Sequence, residues 1–530
     1  MLLTKSDYIL YRECHKNAWM KIHEPEIFYK SELSEFEKSI IETGNEVELL
    51  ARKLFPSGIL IEGRDEKAQK DTQDFLKSNK PVLFQPIFIK DGFLAAVDIL
   101  ERDEDGGYII YEVKATNAVK EKIHFYDLAF QVNLLKKFGL KINKIKIIHL
   151  NSEYIRSGDL DMKKLFLTDD ATKEIEEILD NVSAEMDLAL DYLSKDSEPA
   201  GACCCICKGR SNHCATFRHS NPDVPEYSIH DIARIGSSKK KMEELIDNHL
   251  FHIHEIPEHI ELSDIQRNQV NAHVFDKILI ERELIAKEFE KLVFPLYFLD
   301  YETFPSAVPR FDGYSPYQQI PFQYSLHILK SPKDKPEHLE FLYVGDREYS
   351  RTVADPESLV STRDSQYFRG IELNDPSKPL AESLQKNIGD SGSVIVWNKK
   401  FECKINQEIG ERFPEFREYM EAVNHRVFDL MDIFSKQFYV HKHFRGSTSI
   451  KCVLPTLVPE LSYKDLHIQE GGTASQSWNK ITTPSGGTLG ISDAPIDKAE
   501  KDKIAKDLLD YCELDTYAMY AIWKHLRELI

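Results

Sequence analysis

The chain has 530 residues with 68 basic and 88 acidic side chains. Its formal net charge of −20 excludes a protein that coats nucleic acid over its whole surface, because phosphate contacts need Lys and Arg. At about 100–200 residues per domain the length predicts three or four domains, no apolar run reaches the roughly 18 residues of a spanning helix, and MLLTKSDYILYRECHKNAWM lacks a secretory signal, so a cytoplasmic protein without a membrane partner is expected.

Taken in chain order, residues 82–89 (VLFQPIFI), 93–102 (FLAAVDILER), 108–116 (YIIYEVKAT) and 143–151 are β-rich and separated by turn signals such as KDG and RDEDGG. Between the last two, Phe125, Leu128, Ala129, Val132 and Leu135 keep helical spacing, with Gly139 as the stop. This predicts three meandering strands, a helix and a fourth strand. An acidic helix follows over 168–195. The chain has nine cysteines, with five in PAGACCCICKGRSNHC (199–214); an odd, clustered set points to metal binding rather than disulfides. Residues 221–290 read as a helical linker, and its Gly-containing turn before KKK (239–241) could hold phosphates. Strands are expected at 296–303, 322–330 and 339–345, and again at SVIVWN (393–398) before the helix FECKINQEIGERF. A Gly- and Pro-rich loop (482–495) precedes a C-terminal helix from Asp497 to Leu529, where Asp497 and Glu500 are placed as a capping box.

Asp98 closes one strand and Glu112-Val113-Lys114 lies in the next. Period 2 puts Glu112 and Lys114 on one face, and a hairpin brings Asp98 to them. An acid pair can hold Mg²⁺ while a neighbouring lysine orients and helps to deprotonate water. The plainer alternative is a solvated Glu–Lys pair. The succession AAVDIL, YEVKAT and DLAFQVNLL resembles the RecB-like branch of PD-(D/E)XK nucleases. The resemblance implies Asp98 and Glu112 as metal ligands, Lys114 as the catalytic lysine and Gln131 as a positioner of substrate or water. The upstream GNEVELLARKLFP would supply a further ligand, Glu46 in preference to Glu48. Where that family often has a tyrosine four residues after the glutamine, this chain has Leu135. Members of the branch often join their ends through an iron–sulfur cluster. By that resemblance a [4Fe–4S] centre is expected on Cys14, Cys204, Cys207 and Cys214, with Cys203 and Cys205 as replacements and Zn²⁺, helped by His213, as the competing metal.

A second set raises a physical question. In YFLDYET (297–303) a core strand runs into Asp300 and Glu302, which alternation places side by side; two buried carboxylates repel unless a cation lies between them. An exposed strand end is the alternative. Further acids stand in VIVWNKKFE, where Asn398 and Glu402 follow a strand, and in LLDYCELDTYAMYAIW, where Tyr511 and Asp515 share a helical face. With GSTSIKCVLPTL (446–457) between them, these motifs resemble the DEDD-type 3′–5′ exonucleases of the RNase H-like superfamily. The resemblance implies Mg²⁺ or Mn²⁺ held by Asp300, Glu302, the second-motif acid and Asp515, with Tyr511 acting on the water. The second motif normally ends in aspartate; here it is Glu402, and Asp429 could serve instead, or could simply cap a helix.

The expectation is therefore an α/β multidomain nuclease. A restriction-endonuclease-like domain (1–220), a helical linker (221–290) and an RNase H-like domain (291–530) would act on nucleic acid, DNA in preference to RNA. A binding scaffold with decayed sites is the rival.

Overall fold

The structure, a computed structural model, describes residues 1–29, 35–78, 80–345, 348–352, 355–361, 374–483 and 496–530. It divides into two units, Met1–Pro225 with Ala307–Tyr317 and Glu226–Ser306 with Gln318–Ile530. The predicted linker is thus not a third body. Its small core of Ile229, Ile232, Ile235, Met242, Leu245, Ile253 and Ile260 belongs, from Glu226 on, to the second unit.

The first unit opens with helices α1 (Lys5–Glu13), α2 (His15–His23) and α3 (Glu35–Arg52). A mixed six-stranded sheet follows in chain order: β1 (Ile59–Leu60), β2 (Val82–Phe84), β3 (Ile99–Arg102), β4 (Tyr108–Lys114), β5 (Ile142–Leu150) and β6 (Phe166–Asp170). β4 and β5 are parallel, so a crossover is needed, and α4 (Glu121–Lys137) provides it. α4 is buried on nearly all sides, packing with α1 and α5 (Leu179–Leu193) around Tyr8, Phe130, Val132 and Met186. Gly139 ends it with φ +82°, a conformation that suits glycine.

Two expected strands are each broken. The hairpin of 82–102 turns a corner where Gln85 adopts φ 54° before Pro86, so its inner halves, Ile87–Lys90 and Phe93–Ala96, form a separate small sheet with Leu3–Thr4. The Gln85 amide donates to the Asp98 carbonyl and that of Val97 to Pro86, keeping the ribbon paired across the corner. Asp98 therefore sits where the chain changes sheet. The expected helix of 168–195 begins late, because β6 pairs antiparallel with β5 and takes residues 166–170 as an edge strand.

The second unit holds a mixed seven-stranded sheet. Its strands include β7 (Leu296–Pro305), β8 (Gln319–Leu329), β9 (Glu337–Tyr343), β10 (Ser393–Val396) and β11 (Val427–Asp429). β9, β8 and β7 are successively antiparallel, while β7, β10 and β11 are parallel, and the segments Glu348–Thr352 and Asp355–Ser361 extend the sheet beyond β9. Helices α6 (Lys399–Arg412), α7 (Ile450–Leu457), α8 (Gly471–Thr482) and the 32-residue α9 (Lys498–Leu529) follow. The Asp497 side chain caps α9 by accepting from the Glu500 amide. Alternation sorts β7: Tyr297, Leu299 and Tyr301 enter a core with α6 and the helix Ser377–Asn387, whereas Phe298 packs on Tyr520 and Trp523 of α9. The loop expected at 482–495 lies, from residue 484 on, outside the described residues. No helix among the described residues is long and apolar enough to cross a membrane.

Candidate functional site

In the first unit the hairpin and α4 bring Asp98, Glu112, Lys114 and Gln131 together. Lys114 Nζ lies 2.7 Å from Glu112 Oε1 and 2.6 Å from Asp127 Oδ2. Gln131 Nε2 donates to Glu112 Oε2 at 2.8 Å and to Asp127 Oδ1 at 3.0 Å. Two members were not foreseen. Asp127 precedes Gln131 by one helical turn, so the helical pattern could have found it. Lys5, at the start of α1, reaches Glu112 Oε1 at 2.8 Å and comes within 3.9 Å of Asp98 and Asp127; nothing in its local sequence announces this.

The acid offered by α3 is Glu48, the second choice, rather than Glu46. Gln85 Nε2 bridges Glu48 Oε1 at 2.7 Å and Asp98 Oδ1 at 3.2 Å. Residues two apart on a helix point about 200° apart, and Glu46 acts instead on the buried Arg310, whose guanidinium burial pushes down to about 10. Burial and the nearby Glu112 push Asp98 up to about 7, against the pull of Lys5. Despite burial, Lys114 and Lys5 hold Glu112 well below the usual carboxylate range. The oxygens of this pocket already have donors: Asp98 Oδ2 accepts from the Val113 amide at 2.8 Å, and two lysines neutralise Glu112. A cation reaches Glu112 here only if Lys5 gives way.

The second unit presents the opposite electrostatics. Asp300 and Glu302 lie opposite Ser325 and Gln323 on β8, on the sheet face covered by α9, which brings Tyr511, Cys512 and Asp515. Glu402 stands in the first turn of α6, just past the end of β10. Burial first, and then mutual repulsion, drive Asp300, Glu302 and Glu402 well above the usual carboxylate range. Burial also raises Asp515, to about 6, against the hydrogen bond it accepts from the Tyr463 hydroxyl at 2.5 Å. Among the described residues none of the four is ion-paired with a basic side chain, and Glu402 Oε2 is buried without a hydrogen-bond partner. Lys451 of α7 acts on Asp300, Glu302 and Asp515 only through space, its ammonium 5.2 Å from the Tyr511 ring and 5.6 Å from that of Tyr463. A Cβ on Gly471 would lie 3.7 Å from Glu302 Oε2 and 4.0 Å from the Tyr511 hydroxyl, so the first turn of α8 flanks the cluster.

This donor set suits a hard divalent cation: several carboxylate oxygens, desolvated and lacking counter-charge. Asp429, the alternative acid, is occupied otherwise, for its two oxygens accept the amides of Lys399 and Met431. Glu402, by contrast, stands close enough to Asp300, Glu302 and Asp515 to be repelled by them. Tyr463, Lys451 and Cys512 escaped the sequence reading; Cys512, whose Sγ lies 3.8 Å from Asp300 Oδ2, stands one turn before Asp515 and was within reach of it.

The cysteine cluster needs a correction. The sulfurs that converge are those of Cys14, Cys203, Cys205 and Cys214, all within 4.8 Å of one another, rather than a set including Cys204 and Cys207. Residues 204–207 form one turn of 3₁₀ helix, in which positions i and i+3 eclipse. Cys204 and Cys207 therefore share a face, and it is the exposed one.

Residues 297–449 match the family described as a domain of unknown function (DUF2779). The match includes Asp300, Glu302, Glu402 and Asp429 and stops before Lys451, Tyr511 and Asp515. The chain is 28% identical over 245 residues to the uncharacterized protein MG366 of Mycoplasma genitalium, covering 44% of this chain and 32% of that protein. It is 26% identical over 253 residues to the MG366 homolog of Mycoplasma pneumoniae, covering 46% and 33%, and 24% identical over 263 residues to the uncharacterized protein UU173 of Ureaplasma parvum, covering 46% and 32%. The chain spans about a third of the length of these curated relatives. No solved structure matches it.

Proposed function

We propose that the chain is a metal-dependent nuclease hydrolysing phosphodiester bonds, with its principal centre in the second unit. The observation that carries the reading is the convergence from β7, α6 and α9 of Glu302, Glu402 and Asp515, which are buried, with Asp300, which is partly buried, none of them ion-paired with a basic side chain among the described residues. Strand order supports it, since β9-β8-β7-β10-β11 with a switch from antiparallel to parallel is the arrangement expected of an RNase H-like domain. In the first unit, a meander, a crossover helix and a parallel strand around Asp98, Glu112 and Lys114 agree with a restriction-endonuclease-like core.

Those four acids would hold Mg²⁺ or Mn²⁺. When bound, such ions stabilise the attacking and leaving oxygens of an in-line displacement. The chain's own groups do the rest. Tyr463 fixes Asp515 through its hydroxyl, Lys451 supplies positive charge beside the cluster for a phosphate, and the Tyr511 hydroxyl orients the attacking water. The first centre is self-neutralised by Lys5 and Lys114, which favours a subordinate role for it, one that begins only when Lys5 moves aside. DNA ends or single strands are the proposed substrate.

The test is cleavage of labelled DNA and RNA oligonucleotides, blocked at either end, with Mg²⁺ or Mn²⁺. Asp300→Asn should abolish most activity and Lys114→Met remove a minor share. Equal degradation by the double variant would identify a contaminant, and inert wild-type protein would refute the proposal.

A further inference from the structure

The resemblance in the first unit implies an iron–sulfur cluster, and the four convergent thiols do not fit one. In a [4Fe–4S] centre each thiolate ends on a different iron, so the four sulfurs stand well apart around the cluster. Here all four lie within 4.8 Å of one another, and Cys203 and Cys214 approach to 3.9 Å. A single tetrahedral zinc with Zn–S bonds of about 2.3 Å sets its sulfurs ~3.8 Å apart. The observed crowding is that of one ion.

We propose that Cys14, Cys203, Cys205 and Cys214 form a closed, structural four-thiolate site for a single Zn²⁺. The surroundings agree. Cys14, Cys203 and Cys205 are buried, and four protein sulfurs leave no open coordination position of the kind a catalytic zinc keeps. The Asn221 Nδ2 donates to Cys203 Sγ at 3.2 Å, an outer contact of the type that orients a ligand and tempers thiolate charge. His213 is not needed as a ligand, since its Nε2 pairs with the Lys208 carbonyl at 3.0 Å and its ring stacks on Phe217. Cys14 sits at the junction of α1 and α2, between two helices whose neighbours already reach the same segment: Lys16 donates to the Gly201 carbonyl and Asn17 accepts from Thr216. One ion would fasten the amino-terminal helices to a segment far along the chain. Because α1 also carries Lys5, the same ion holds the lysine that neutralises Glu112.

The test is elemental analysis of the full chain purified without chelators from medium supplied with both iron and zinc, together with an assay of acid-labile sulfide. We expect one zinc per chain and no sulfide. Replacement by Co²⁺ should give sulfur-to-cobalt charge transfer and the visible bands of a tetrahedral four-thiolate ion, a readout that needs no variant. Cys204→Ser and Cys207→Ser should retain one zinc, whereas Cys203→Ser and Cys205→Ser should fall toward none. A brown protein with iron and sulfide, a chain with no metal, an octahedral cobalt spectrum, or zinc lost with Cys204 and Cys207 would each overturn the proposal.

Discussion

Replacing Asp515 by asparagine separates an acid kept for its chemistry from one kept for packing. Burial raises this carboxyl from 3.8 to about 6, so at pH 8 the folded, metal-free protein holds it ionised at a cost. At about 1.4 kcal/mol per unit, the difference of roughly two units is ~3 kcal/mol. Asparagine keeps the shape and still accepts from the Tyr463 hydroxyl, but carries no charge. In EDTA at pH 8, Asp515→Asn should therefore be more stable than wild type by about 3 kcal/mol, a rise in Tm of roughly 5–10 °C. At pH 4 the gain should vanish, because the wild-type carboxyl is then protonated. Thermal melts followed by circular dichroism, with and without Mn²⁺, read both terms: wild type should be stabilised by Mn²⁺ and the variant scarcely. A variant destabilised in EDTA at pH 8, or one that keeps the full response to Mn²⁺, would refute the argument that this pocket is strained for want of a cation.

Other outcomes follow from the same charges. Asp98 and Asp515 have folded values raised to about 7 and 6, and burial raises Asp300, Glu302 and Glu402 as well. These five carboxyls take up protons on folding and outnumber the buried His124 and His327, lowered to about 4 and 3, which give them up, so metal-free stability should fall from pH 4 to pH 7; a flat Tm in EDTA over that range would contradict it. Lys5→Met should cost roughly 2–3 kcal/mol, less than for a fully buried pair because Lys5 is partly exposed, while raising Mn²⁺ affinity at the first centre, measurable by calorimetry. Glu48→Gln should weaken that Mn²⁺ binding and Glu46→Gln leave it unchanged, since only Glu48 reaches Asp98 through Gln85. Tyr463→Phe should reduce cleavage several-fold without abolishing it, measured as kcat on an oligonucleotide.

The parts of the two centres that were legible in the sequence are those set by local geometry. Period 2 on β4 put Glu112 and Lys114 on one face without further knowledge, whereas Gln131 was reached only through the family resemblance, and the odd position of acids on apolar β7 and α9 marked Asp300, Glu302 and Asp515. What escaped depends on how distant segments rotate against one another. Glu46 and Glu48 differ only in which side of α3 faces the sheet. Cys204 and Cys207 were chosen because their spacing resembles the family's, and nothing local says that the face they share in the 3₁₀ turn looks outward. Lys5 and Tyr463 arrive by tertiary packing alone. The broken hairpin did carry a signal, Pro86 after Gln85, since proline restricts its predecessor and interrupts a ladder.

The acids of the second centre are also ordered in time. In the chain, Asp300, Glu302 and Glu402 precede Asp515, which lies on α9. During amino-to-carboxyl synthesis the sheet can form while the pocket still lacks one wall and one ligand. The four acids therefore cannot converge until the chain has emerged as far as Asp515, and the pocket is among the last features of this unit to be completed.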